Sequence, residues 1–192
     1  MQAQDVLDFW FLPEGAEGHG KQRIEWFKKD DAFDAQIRER FGALIHQALA
    51  GGLREWDEIG PRGTLARLLV LDQFTRNAFR NQPASFSGDV LALGAAQQLV
   101  ESGDYLALSP VERQFVYMPF EHAEDARMQE QAVSLFTALA QEHAGFDEAL
   151  DYAHRHRGVI ARFGRFPHRN AILGRASSPE ELAFLELPGS SF

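Results

Sequence analysis

Cysteine is absent from the 192 residues. That excludes disulfides, thiolate zinc centres, iron–sulfur ligation and cysteine nucleophiles together. Long apolar runs are absent too. The most continuous, Val90 to Ala96, is made of mostly small side chains and falls far short of the ~20 residues that span a bilayer. The first residues, Met1-Gln2-Ala3-Gln4-Asp5, are polar and acidic where a secretory signal is basic, so a cytoplasmic location is expected. Lysine is scarce: Lys21, Lys28 and Lys29 are the lysines among 19 basic residues, and the rest are arginine. Those bases are outnumbered by 28 acids, leaving a net charge of −9. A chain this acidic does not coat polyanions, so neither nucleic acid nor a membrane is an expected partner. Strand signals are poor, with no alternating β-branched run and no Asn-Gly hairpin turn. The sequence holds no G-x-S-x-G elbow, Walker loop, H-E-x-x-H or G-x-G-x-x-G, so no motif calls for a cofactor.

What is present is helical periodicity. Phe33, Ile37, Phe41, Leu44, Ile45 and Ala48 form one amphipathic stripe, stopped by Gly51-Gly52. Val6, Leu7, Phe9, Trp10 and Phe11 predict a short first helix ending at Pro13. Pro61-Arg62-Gly63 reads as a turn, with Thr64 capping a helix that carries Leu65, Leu68, Leu69, Leu71 and Phe74. Ser109-Pro110-Val111-Glu112 and Ser178-Pro179-Glu180-Glu181 each combine a Ser cap, a Pro at the first helical position and a Glu three residues after the cap. Met128 to Glu142 and Phe146 to Phe163 predict two long helices meeting at Ala144-Gly145. With 45% hydrophobic residues the chain is expected to fold as a single helical domain over 1–192. About eight or nine helices with short connections predict an all-α antiparallel stack, a bundle or an α–α superhelix of hairpins.

Three segments set polar groups beside strongly apolar ones. In the first, Leu71 to Arg80, the residues Asp72, Arg76 and Arg80 follow i, i+4, i+8 on a helix, beside Asn77. They read either as an exposed ion-pair ladder or as part of a site. In the second, Tyr117 to Asp125, Pro119 breaks or begins a helix. His122 there stands among Glu121, Glu124 and Asp125, carboxylates expected to raise its pKa. The third, His154 to Asn170, is the richest. His154 and His156 point ~200° apart on a helix and cannot share a metal, and one histidine among acids is too few ligands, so no metal is expected. Gly164 stops the helix and Pro167 prevents a restart. Arg162, Arg165, His168, Arg169 and Asn170 then bracket a tight turn rich in donors. From Asp151 to Arg175 six arginines stand against one acid. Such a cluster suits phosphate or carboxylate, because arginine forks bind oxygens two at a time. It equally suits neutralisation of helix carbonyls and of the protein's own acids.

The three segments together resemble the bacterial family catalogued as domain of unknown function 924. The most specific piece is Arg162-Phe163-Gly164-Arg165-Phe166-Pro167-His168-Arg169-Asn170, followed by Leu173-Gly174-Arg175. Leu71-Asp72-Gln73-Phe74 and Tyr117-Met118-Pro119 with His122 and Glu124 match the other family motifs, and the resemblance runs on to the tail Leu187 to Phe192. Thr75 stands where the family usually has proline, and Ala123 where it has serine. The resemblance implies an all-helical, tetratricopeptide-like fold and carries over no catalytic role. Three readings follow. In the first, a small anionic ligand is held by Asp72, Arg76, Asn77, Glu124, Arg162, Arg165, Arg169 and Asn170, with His122, His156 or His168 as candidates for moving protons. In the second, the chain is an adaptor for an acidic peptide, and its own tail, Pro188 to Phe192, is a candidate internal ligand. In the third, the same groups form a polar network that pins helix ends.

Overall fold

The structure, a computed structural model, describes residues 1–191. Phe192, the last residue of the tail considered as an internal ligand, lies outside the described residues. Among the described residues there are nine α-helices and no strands, as the periodicity predicts. The helices are α1 (Ala3–Phe11), α2 (Asp31–Leu49), α3 (Pro61–Leu68), α4 (Thr75–Ala78), α5 (Asp89–Ser102), α6 (Pro110–Glu121), α7 (Ala126–Glu142), α8 (Asp147–Phe163) and α9 (Pro179–Leu185). No helix among them is long and apolar enough to cross a membrane. The chain divides into two compact units: Met1–Arg80 with Ala84–Pro119, and Asn81–Pro83 with Phe120 onward.

The first unit is built on aromatic rings. The α2 stripe Phe33, Ile37, Phe41, Leu44, Ile45 and Ala48 is buried throughout. Trp10 of α1 meets Trp26, Phe33, Phe74 and Phe115 at ring-centroid distances of 5.5 to 5.9 Å. Each such ring contributes roughly 1.5–3 kcal/mol on burial. The expected turn at Pro61–Gly63 is instead the first turn of α3, with Gly60 before it at φ 110° and Thr64 buried inside. Proline at the first helical position has no N–H to lose. Gly63 is required in that turn because a Cβ there would sit 1.9 Å from the Trp56 carbonyl oxygen. The helix predicted from Thr64 is also not uniform. Leu69–Phe74 winds as a π-helix before α4 begins, and Gly88, at the entry to α5, lies so close that a Cβ would meet Leu71 O at 2.0 Å.

The second unit packs α7 along α8, with a core of Val159, Ile160 and Phe166 joined by Phe163 and Phe184. Asp125 caps α7, accepting from the Arg127 and Met128 N–H groups at 2.8 and 3.1 Å. The end of α6 is closed by Gln129, fully buried. Its amide nitrogen donates to the carbonyls of Glu121 (2.6 Å) and Ala123 (2.8 Å), which a helix end leaves without intrahelical partners. Pro119 lies inside α6 and neither starts nor ends it. Gly164 stops α8 in the left-handed region at φ 69°, and Pro167–Arg169 forms a single 3₁₀ turn. The predicted box before α9 is present: Ser178 Oγ accepts from Glu181 N, and Glu181 accepts from Ser178 N.

Candidate functional site

The polar residues singled out by sequence fall into both units, and each set is built separately. In the first unit Asp72 is buried on the π-helix, a winding found often at functional sites. Its Oδ2 accepts from Gln73 at 2.6 Å, and its Oδ1 lies 3.1 Å from the Arg76 guanidinium. Arg76 also forks onto Asp89 at 2.8 and 3.1 Å. Burial alone pushes the Arg76 pKa down, but the charges of Asp72 and Asp89 and the Asp89 hydrogen bond leave it raised. Asp72 and Arg76 therefore meet as the i, i+4 spacing predicts. Arg80 does not extend the ladder, because α4 ends at Ala78. Arg80 pairs with buried Asp34 of α2, which also accepts from Asn77 Nδ2 at 2.7 Å.

In the second unit the segment from Gly164 to Ser178 is tied down at both ends. Arg165 forks onto Glu181 at 2.7 and 2.8 Å and donates to Ala176 O at 2.8 Å. Arg175 forks onto Glu124 at 2.7 and 2.9 Å and also donates to Phe166 O and Asn170 Oδ1. Glu124 accepts in addition from the Phe166 N–H at 2.7 Å. Asn170, fully buried, donates to Ser177 Oγ at 3.0 Å. The Arg165 hydrogen bond, then the Ser178 N–H, hold the Glu181 carboxyl down to about 2. For Glu124, burial pushes the pKa up, but the hydrogen bonds from Arg175 and Phe166 N–H and the charges of Arg175 and Arg169 win, and it is lowered.

Beside this knot lies a cluster centred on the buried Phe166 ring. The His156 ring meets it edge-on at 5.4 Å, His168 lies at 5.6 Å, and the Arg169 guanidinium stacks over it at 4.6 Å. His122 stands 6.2 Å from His156, and its carbonyl accepts from Arg169 at 3.0 Å. His156 and Glu121 are both buried, with Nδ1 2.8 Å from Glu121 Oε1 and 2.9 Å from Tyr152 O. Two acceptors at Nδ1 place the ring hydrogen there, which fixes the ring's orientation and tautomer.

The three carboxylates expected around His122 thus have separate duties: Glu121 meets His156, Glu124 meets Arg175, and Asp125 caps α7. The two segments of this unit do come together. His122, His156, His168 and Arg169 share one ring cluster, while Glu124, Arg165 and Asn170 share the knot. Arg162 is elsewhere, half exposed over the Phe163 ring at 4.6 Å, with Glu180 4.0 Å away. Asp72, Arg76 and Asn77 belong to the first unit. Among the described residues no group of three or more His, Asp or Glu side chains is placed to hold a metal. Sequence reasoning did not single out Glu181 or Gln129 as parts of this network. Glu181 was visible as a helix-start glutamate, but its second role as the Arg165 partner has no local signal.

A family model described as a bacterial protein of unknown function, DUF924, matches residues 6–189. A solved structure of a protein of unknown function from Agrobacterium tumefaciens is similar to this chain with a TM-score of 0.83 and 39% identity, covering 96% of each chain. None of the curated proteins matches.

Proposed function

The chain belongs to the bacterial DUF924 family, and from that premise we propose that it binds a small anion, phosphate or carboxylate, at the cluster around Phe166. The observation that carries this reading is the gathering of one guanidinium, Arg169, and two imidazoles, His156 and His168, about a single buried ring, with a third imidazole, His122, 6.2 Å from His156. Guanidinium and imidazole donors match the oxygens of phosphate and carboxylate. His122 and His168 are partly exposed, so the cluster has access to solvent. The Glu121–His156 pair adds a carboxylate-held imidazole, a group suited to taking up and returning a proton. The knot of Arg165, Arg175, Glu124 and Glu181 supports the cluster from outside. These groups hold the chain at both ends of the turn that carries His168 and Arg169.

Two measurements test the reading together. Phosphate, acetate and citrate at constant ionic strength are expected to give saturable changes in the imidazole resonances of His122, His156 and His168. A ligand at 100 times its Kd adds about 2.7 kcal/mol, which at this size raises Tm by roughly 5–11 °C. Arg169→Lys, which keeps the charge and loses the fork, is expected to weaken binding at least tenfold with the fold intact by circular dichroism. Imidazole shifts that do not saturate, or that chloride reproduces, overturn the reading, and an acidic peptide then becomes the ligand to try.

A further inference from the structure

We propose that the cleft between α8 and α9 is a second ligand site, made for a small amphipathic carboxylate, with one carboxylate head on an apolar chain. The cleft has a volume of about 290 Å³, at the lower end of ligand pockets. Its floor is Val159 and Phe163 of α8 and Phe184 of α9, with the two phenyl rings 5.1 Å apart. Arg155 and Arg162 also line it. They stand seven residues apart, two turns along one face of α8 and ~10.5 Å of helix rise from each other.

These two arginines differ from those of the knot. Arg165 and Arg175 have buried or half-buried carboxylates fitted into their forks. The Arg162 guanidinium instead lies over Phe163 and Phe184 at 4.6 and 5.9 Å, with exposed Glu180 at 4.0 Å. Arg155 lies over Tyr152 at 5.3 Å and meets Asp151 in an i, i+4 pair whose partners are both more than half exposed, an arrangement that contributes little. A ligand carboxylate can therefore take either fork without breaking a buried pair. Stacking on the rings holds the Arg162 head at the edge of the apolar floor, so the charged and apolar parts of the site are adjacent.

Gly158 shares with Gly42 and Gly94 a mid-helix position where a Cβ would meet nothing, and of the three it is the one in the cleft lining. It lies inside α8, where glycine is a poor choice, and a Cβ at that position would meet nothing within 4 Å. No packing within the protein requires glycine there. Gly158 also lines the cleft, and the missing side chain keeps the floor open between the two arginines. Apart from the arginines, the lining side chains are apolar or absent. Arg155 and Arg162 supply the polar side chains of the lining, which suit an anionic head, and the apolar floor asks for a ligand whose bulk is hydrocarbon. An arginine fork pairs a carboxylate two-for-two. The residues are distinct from those of the Phe166 cluster, so the two sites are tested separately.

The experiment is a calorimetric or NMR titration of the full chain at constant ionic strength with acetate, hexanoate, octanoate and 1-octanol. Affinity is expected to rise from hexanoate to octanoate by up to about fourfold per methylene, with octanol at least tenfold weaker than octanoate. Arg162→Met is expected to weaken octanoate at least tenfold. Gly158→Ala is expected to raise Tm while weakening octanoate at least fivefold, a split that simple loss of folding cannot produce. Arg169→Lys is expected to leave the gain in affinity of octanoate over acetate unchanged while it weakens phosphate and acetate at the Phe166 cluster. Octanol binding as tightly as octanoate, or octanoate binding unaltered in both Arg162→Met and Gly158→Ala, overturns the proposal. So does a leucine-terminated peptide that binds through its carboxylate where octanoate does not, because the occupant is then a chain terminus.

Discussion

Glu181 accepts from the Arg165 fork and from the Ser178 N–H, and its pKa falls from the ordinary 4.5 to about 2. A carboxyl held below its unfolded value contributes stability that is complete above the unfolded pKa and is lost as pH falls through the folded one. Glu124 is lowered as well and acts with the same sign. Stability is therefore expected to decline from about pH 4.5 to about pH 2, and Glu181→Gln is expected to flatten that decline. Thermal melts across this range, wild type beside variant, measure it; equal acid slopes in the two would remove Glu181 from the account. Arg175→Met leaves Glu124 and the Phe166 and Asn170 oxygens without their guanidinium donors, and losses of this kind cost about 1–3 kcal/mol. Chemical denaturation measures that cost directly. At this scale the sequence marked Arg165, Arg169 and Asn170 as donors. It did not show their acceptors, because Arg165 finds Glu181 16 residues away and Arg169 finds the His122 carbonyl 47 residues away.

Whole elements were largely legible where their signals are local. Both Ser-Pro-x-Glu starts form capping boxes, since cap, proline and glutamate act within one turn. The α2 stripe is buried for the same reason: its period is a property of the helix itself. The errors came where another element decides. Pro61–Gly63 reads as a turn in isolation, yet Trp56 packs against it and only a glycine fits. Asp72 and Gln73 are buried on the π-helix at Leu69–Phe74, and Thr75 Oγ donates to Leu71 O at 2.8 Å. Gly63→Ala and Gly88→Ala would each drive a Cβ to about 2 Å from a backbone carbonyl oxygen. Each is expected to destabilise the fold by at least the ~1–3 kcal/mol of ordinary overpacking. Gly94→Ala, where a Cβ meets nothing within 4 Å, serves as the control. It is expected to be neutral or stabilising by up to about 1 kcal/mol.

For the molecule as a whole, the distribution of charge is more informative than its total. The net charge is −9, yet the stretch from Asp151 to Arg175 carries six arginines against one acid. In the structure two of those arginines, Arg165 and Arg175, neutralise Glu181 and Glu124, so part of the basic stretch is spent internally. Mutual repulsion among the remaining acids keeps such a chain dispersed at neutral pH. Solubility is expected to pass through a minimum near the isoelectric point of about 5.2, measurable as turbidity against pH. A solution that stays clear through that point would mean that surface chemistry other than net charge keeps the molecules apart.

The sequence by itself determined the all-α class, the positions of the main helices, and the concentration of arginine, histidine and asparagine in three segments. These are set by interactions within a turn or two, and their spacing can be read along the chain. Tertiary structure alone decided which of those polar groups meet. It placed His156 against Glu121 and beside His122, gathered His156, His168 and Arg169 at the Phe166 ring, and consumed Arg76, Arg165 and Arg175 in ion pairs. It left Arg155 and Arg162 beside an apolar cleft. The reason is physical: a donor's charge and reach are properties of the residue, whereas its acceptor is chosen by packing that brings distant segments within about 3 Å.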